Sequence, residues 1–218
     1  MRPLILFPFN GNAREAVGVV EAINAQRQTW SVLGFVDDDP DKKGSAFGGY
    51  PVLGGREVLA ERPDAAVLAV PGRPDNFHKR RAIIEALNLK SERWATLIHP
   101  AAVVGPECMI GDNVLIQAGV VLTAGARIAR HSIILPQTVA AHDADIGEGV
   151  VMGSHVTISG ACHVEPWSYI GSGVKLREGV RIGTGALVGL GATVIGDVAP
   201  GKVAVGCPAR AIRDVDKD

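Results

Sequence analysis

Between residues 98 and 194 an aliphatic side chain returns at every sixth position: Ile98, Val104, Ile110, Ile116, Leu122 and onward to Val188 and Val194. Fifteen of these seventeen positions are Ile, Leu or Val, with Ala140 and Met152 the departures, so the period never slips. Four residues after each lies a small or β-branched residue, such as Ala126, Ser132, Thr138, Ala144 or Cys162. Neither helix spacing nor strand alternation gives a period of six. A chain wound with three flat faces per coil does, because each six-residue face sends one bulky side chain to the axis. A small residue is needed where the chain turns the corner. Gly follows the aliphatic residue in Ile110-Gly111, Ile146-Gly147, Ile170-Gly171 and Ile182-Gly183, where its conformational freedom suits a turn. The pattern predicts a left-handed parallel β-helix, a hexapeptide-repeat prism, over residues 98–199. Residues one coil apart should stack at about 4.8 Å, giving a prism roughly 25–30 Å tall.

The first 97 residues follow a different grammar. An apolar run over 2–9 has strand length and breaks at Asn10-Gly11. A helical pattern follows over 13–26, and Asn12 with Glu15 resembles a capping box at its start. Further strands are expected over 31–36, 51–53 and 65–70, with helices over 56–62 and 74–89, and 94–99 leads into the prism. Strand alternating with helix implies a small open parallel sheet, a Rossmann-like α/β domain over 1–97. Ligands bind such sheets at the carboxyl ends of the strands. Here those ends are Asn10-Gly11-Asn12, Asp37-Asp38 and Pro71-Gly72-Arg73. No dinucleotide glycine fingerprint is present, so these loops suit a structural cap as well as a ligand site. Stacked coils leave unpaired backbone groups at both ends. The α/β part is expected to cover the first coil, and the 200–218 tail to leave the last one and pack outside.

Composition narrows the function classes. The net charge is −1, from 22 basic and 23 acidic residues, which gives no electrostatic case for nucleic acid or a charged membrane. The apolar run near the start is too short for a signal peptide or a membrane span. Three Cys make no disulfide framework, and Cys108 and Cys162 occupy the small corner position as packing residues. A reduced cytoplasmic protein is the expectation. Zinc would need several His converging. The four His of the prism, His131, His142, His155 and His163, are never a multiple of eighteen apart, so no two stack and no metal site is expected.

His142 has a distinctive setting, flanked by Asp143 and Asp145 and two residues beyond Ala140, the one axis position reduced to a methyl group. A neighbouring carboxylate can orient an imidazole and stabilise its charge. Taken alone, the same residues favour a surface histidine beside acids over a catalytic one.

Three segments together resemble the two-domain hexapeptide-repeat sugar acyltransferases, the family of sialic acid O-acetyltransferase, UDP-4-amino-sugar N-acetyltransferase and GDP-perosamine N-acetyltransferase. They are Phe35-Val36-Asp37-Asp38-Asp39-Pro40 with Gly49-Tyr50-Pro51-Val52-Leu53-Gly54, then Ala141-His142-Asp143 with Ile146-Gly147, and Val205-Gly206-Cys207-Pro208-Ala209-Arg210. The last segment occurs across many prism acyltransferases, whereas the combination is more specific. The resemblance covers nearly the whole chain and implies an acetyl transfer from acetyl-CoA to an amino or hydroxyl group of a nucleotide-linked sugar. It implies His142 as general base with Asp143 as its partner. The N–H of Gly160 would polarise the thioester, and CoA would lie near Ser172 and Leu190 between prisms of a homotrimer. It places the nucleotide on Asn10, Gly11 and Asp37. Several family positions differ here: the first loop carries Pro8 and then Gly11-Asn12 where the family has Gly and Gly-His. Leu135 replaces an Asn, and Val151 a second His. Those changes leave open a small non-nucleotide acceptor, or a scaffold that has lost the chemistry.

Overall fold

The computed structural model describes residues 1–216, so the last two residues of the expected tail lie outside it. The chain opens with β1 (Arg2–Phe7), β2 (Trp30–Phe35), a hairpin of β3 (Ala46–Phe47) and β4 (Tyr50–Pro51), and β5 (Ala66–Ala69). β1 lies between β2 and β5, all parallel. Leu4 and Leu6 point to one face and Ile5 and Phe7 to the other, each at most 2% exposed. A strand covered on both faces reads as the unbroken apolar run seen in the sequence. Residues 51–53 form no separate strand: Tyr50–Pro51 pairs back on Ala46–Phe47, and Val52 only bridges Phe35.

Three helices cover the sheet: α1 (Gly11–Gln26), α2 (Val58–Glu61) and α3 (Arg80–Glu85). Helix α1 begins two residues before the expected start, because Asn10 is its N-cap: the Asn10 side chain accepts from the Ala13 N–H at 2.9 Å. The expected capping-box partner Glu15 instead reaches the prism, where it accepts from Gln117 Nε2 at 3.2 Å. The helix expected over 74–89 is much shorter. A 3₁₀ turn over Phe77–Lys79 precedes it, and Asn88 adopts a left-handed φ of 46° just beyond it.

From β6 (Leu97–Ile98) to β22 (Thr193–Val194) the chain forms seventeen two-residue strands in a three-faced column, the left-handed β-helix that the period of six requires. Strand partners are eighteen residues apart, as in Ile116 beside Ile134 and Ile128 beside Ile146. Every axis residue from Ile116 to Val194 is at most 2% exposed. The first face carries Leu97, Leu115, Ile133, Val151 and Tyr169 outward. The second carries Val103, Val121, Val139, Thr157, Lys175 and Thr193, and the third Met109, Arg127, Asp145, His163 and Arg181.

Three expectations need revision. First, the glycines that follow the axis residue are not left-handed. A Cβ on Gly111, Gly147, Gly171 or Gly183 would meet a backbone nitrogen of the next coil at 2.4–2.7 Å. They permit close coil-to-coil approach, and positive φ falls elsewhere, on residues such as Gly125 and Asp143. Second, the α/β part covers the side of the prism. Leu97, Leu115, Ile133 and Val151 share one apolar cluster with Ala16, Val19 and Val20 of α1, while Val103, Val104 and Met109 of the first coil stay exposed. Burying the apolar first face removes more hydrocarbon from water than capping one end would. Third, the tail continues the stack before leaving it. β23 (Lys202–Gly206) pairs in parallel with Leu187–Val188, and β24 (Ala209–Asp214) returns antiparallel along its edge. No helix among the described residues is long and apolar enough to cross a membrane.

Candidate active site

Each coil turns three corners, and the chemistry-bearing residues divide among them. His142 stands on the corner between the second and third faces, just beyond Val139–Ala140. Its Nδ1 lies 3.1 Å from Asp143 Oδ2. An ionised carboxylate only accepts, so Nδ1 carries the proton and Nε2 is the free lone pair. Asp143 holds a φ of 58°, a conformation that Asp tolerates better than most residues, and its side chain packs over Gly125 one coil before. Gly160 lies one coil beyond. A Cβ there would be 2.4 Å from both His142 Cε1 and Nε2, so only glycine admits the ring in this position. The Gly160 N–H donates to no group among the described residues. His142, Asp143 and Gly160 are therefore together, with a base, its partner and an unspent donor on one corner.

Ser172 and Leu190 occupy a different corner, between the first and second faces. The Ser172 Oγ accepts from the Ser154 N–H at 3.2 Å, and Leu190, one coil further, is 83% exposed. His155 is on this corner too, away from His142. Within one chain the two corners flank the second face and do not meet.

Asn10, Gly11 and Asp37 converge with Pro71, Gly72 and Arg73 around a cleft of about 630 Å³ at the carboxyl ends of the sheet strands. Two of the three are already engaged. Asn10 Nδ2 donates to the Val70 carbonyl at 2.9 Å, and Asp37 accepts from the Phe9 N–H at 2.8 Å and the Asp39 N–H at 2.9 Å. They shape the cleft, while Gly11 opens it at the N-terminus of α1, with no atom within 4 Å of where a Cβ would stand. Burial works to raise the Asp38 carboxyl, yet hydrogen bonds from Arg56 outweigh it and hold that group below its usual range.

Sequence reasoning placed Arg73 here but missed Arg14, Lys42 and Arg56, the other cations that line this cleft. Arg14 left one readable sign: a cation in a helix's first turn opposes the helix dipole. Also missed was the third corner, where Asn113, His131 and Trp167 stack one or two coils apart. Asn113 Nδ2 donates to His131 Nδ1 at 2.9 Å. Burial, with the Arg130 and Arg80 charges, holds His131 down at about 4. The eighteen-residue arithmetic reaches this column once it is applied to all polar residues rather than to His pairs. Leu135 and Val151, apolar where the resembled family is polar, both pack in the seam between prism and α/β layer. Among the described residues no group of three or more His, Cys, Asp or Glu is placed to hold a metal ion.

The prism, its flanking parallel sheet and the His–Asp corner give the chain the build of the hexapeptide-repeat sugar acyltransferases. It is similar over 98% of its length to a histidine mutant of perosamine N-acetyltransferase from Caulobacter crescentus, solved with CoA and GDP-perosamine (26% identity, 98% of that chain, TM-score 0.84). It is also similar to the acetyltransferase domain of PglB from Neisseria gonorrhoeae solved with acetyl coenzyme A (26% identity, 97% of this chain and 99% of that, TM-score 0.81). WeeI from Acinetobacter baumannii aligns over 96% of this chain and 99% of its own, at 26% identity and TM-score 0.80. The family model of the GMPPB C-terminal domain matches residues 94–186. No curated protein matches the sequence.

Proposed function

We propose that this protein transfers an acetyl group from acetyl-CoA to an amino group of a nucleotide-linked sugar. The observation that carries the reading is His142 seated on Gly160 with its Nδ1 held by Asp143. The structural relatives bound to CoA, acetyl-CoA and GDP-perosamine support it over the whole chain. His142 Nε2 takes a proton from the sugar amine as its nitrogen attacks the thioester carbonyl carbon. The Gly160 N–H stabilises the oxyanion. Collapse expels the CoA thiolate, which recovers the proton from the imidazolium, so the products are the acetamido sugar and CoA. A hydroxyl acceptor would follow the same course. Among the described residues the His142 side chain bonds to Asp143 and to no Ser or Cys, which favours direct attack over an acyl-enzyme.

Residues 1–97 bind the acceptor in this reading, 98–199 perform the chemistry, and the tail from 200 closes the column. The strand-end cleft presents the α1 N-terminus at Gly11 together with Arg14, Lys42 and Arg73 to a diphosphate. A homotrimer completes the site. Val103, Val121 and Val139 make the first three rungs of the second face apolar, before Thr157, Lys175 and Thr193, where the third face carries Arg127, Asp145 and Arg181. If three second faces meet around one axis, each His142 corner meets the next copy's Ser172 and Leu190, and the CoA arm runs between them. Its Cys residues are free thiols, in keeping with the cytoplasm, which also supplies acetyl-CoA.

The test is turnover of acetyl-CoA with a panel of GDP-, UDP- and dTDP-linked amino sugars, followed by CoA release. His142→Ala should cut turnover roughly 10²–10⁴-fold. With its side chain 57% exposed, the change should leave Tm nearly unmoved. An unaffected rate would remove His142 from the mechanism. Acetylation of free amino acids but no sugar would favour the small-acceptor reading, and failure to bind acetyl-CoA at all would favour a scaffold.

A further inference from the structure

The exit of β5 is held by side chains in an unusual sequence. Three successive carbonyls, those of Ala69, Val70 and Pro71, each accept from a different side chain: Asn113, Asn10 and Arg80. Asn113 is fully buried on the prism's third corner and pairs with both polar groups of Ala69, accepting from its N–H at 2.7 Å and donating to its carbonyl at 3.0 Å. Arg80 is 1% exposed. No carboxylate pairs with it among the described residues, and its donors go to three carbonyls. Nη1 reaches Pro71, while Nη2 reaches His131 at 2.7 Å and Nε reaches Gly149 at 3.3 Å, the last two on successive coils of the prism.

Gly72 completes the contact. Its φ is +109°, and a Cβ there would lie 2.7 Å from both Arg80 Cγ and Cδ, so the loop backbone rests flat on the arginine stem. Beyond it the Arg73 N–H donates to Asn76 Oδ1 at 2.7 Å. The 71–73 segment is one wall of the strand-end cleft. Burying a guanidinium against carbonyls alone is costly, and an apolar side chain would fill the space at lower cost. A buried charge kept in such a place is expected where position matters more than stability.

We infer that Arg80 is a positioning residue: braced on two coils of the prism, it fixes the 71–73 loop and so sets the acceptor cleft in register with the prism's own corners. The inference rests on the reading of that cleft as the acceptor site. Asn113 supplies the second brace two residues upstream, and Asn10 ties the same strand exit to the start of α1. The third corner thus acts on acceptor binding without touching either substrate. It is separate from the corners that hold His142 and Ser172.

Two readouts on the full-length protein test this separately. The first is amide hydrogen exchange of residues 69–73 in Arg80→Met, Arg80→Lys and Gly72→Ala, with residues 156–164 and 174–182 of the prism, which Arg80 does not touch, as internal reference. Arg80→Met should speed exchange in 69–73 on the order of ten-fold and leave the reference coils unchanged. Arg80→Lys keeps the charge and some donors, so it should fall between. Gly72→Ala pushes the loop off the stem while Arg80 stays bound to the prism, and it should give the same local loosening if Arg80→Met fails to fold. Unchanged exchange in 69–73, or a rise spread evenly through the prism, overturns the inference. The second readout is kinetic: the acceptor KM should rise about ten-fold with the acetyl-CoA KM unmoved. A loosened loop with an unmoved acceptor KM overturns the positioning role. If the wild-type protein accepts no nucleotide sugar while the variants still loosen the loop, the cleft assignment falls and the hold of Arg80 on the loop stands.

Discussion

His142 owes its position to two neighbours, the next residue on its own corner and a glycine one coil beyond. Asp143 fixes the ring through Nδ1 at 3.1 Å, and Gly160 provides the flat bed beneath it. An added methyl at Gly160 needs the space the ring now fills, and the ring is free to swing toward solvent. Gly160→Ala should therefore displace the imidazole rather than strain the coil. We expect turnover to fall at least roughly ten-fold, since misplacing a reacting group by an ångström is that costly. Tm should move by no more than about 2 °C, as for other surface changes. A steady-state rate and a melting curve of the same preparation check both halves. Loss of stability equal to the loss of rate would show that the glycine serves the coil alone.

The third corner, with α3 against it, behaves as one element built from polar contacts. His131 is enclosed by Trp94 at 5.1 Å and Trp167 at 6.5 Å between ring centroids, with Asn113 on Nδ1. Burial holds its pKa near 4 in the fold, against 6.5 for the free group. Between those values the unfolded chain binds a proton that the fold refuses. Stability should therefore be level above about pH 6.5 and fall as the pH drops toward 4, by about 2 kcal/mol at pH 5. Denaturant melts at pH 7.0 and pH 5.0 test this, with His131→Gln as the comparison. The variant should lose most of the difference; an equal slope in both proteins would show that His131 is solvated. Other groups that titrate in this range, Glu15 with its carboxyl raised by burial among them, are the same in both proteins and cancel in the comparison.

At the scale of the whole molecule the single chain looks incomplete. Its His142 corner and its Ser172 corner border the same second face, apolar at Val103, Val121 and Val139, and Leu190 stands almost fully in solvent on the Ser172 corner. Large exposed apolar groups on a flat surface mark an interface. Val121→Asp places a charge at the middle of that face without altering either corner. It should convert the proposed trimer to a monomer in sedimentation velocity and abolish the proposed acetyl transfer, while each chain keeps its β-sheet circular dichroism. A variant that remains trimeric and active would move the interface to another face.

The winding of the prism was legible in the sequence because its information is local and periodic. One inward side chain per six residues fixes the face length, and the stacking interval follows by multiplication, from Ile98 to Val194. Even the His142–Asp143 pair could be read, being adjacent in the chain, and Gly160 beneath it was reached through the family resemblance. What the sequence left open depends on contacts between segments with no common period. Asn10 rather than Asn12 caps α1: its Oδ1 accepts from the Ala13 N–H while its Nδ2 donates to the Val70 carbonyl, sixty residues on. Val151 and Leu135 looked like lost polar groups until the α/β layer was seen lying against the first face. Nothing in the sequence sets Arg80 apart within the helix expected over 74–89, and its burial is decided by carbonyls of His131 and Gly149 brought to it across the fold. Local pattern determines how the chain winds; which face is covered, and which side chain answers which carbonyl, is settled only when distant segments bury surface against each other.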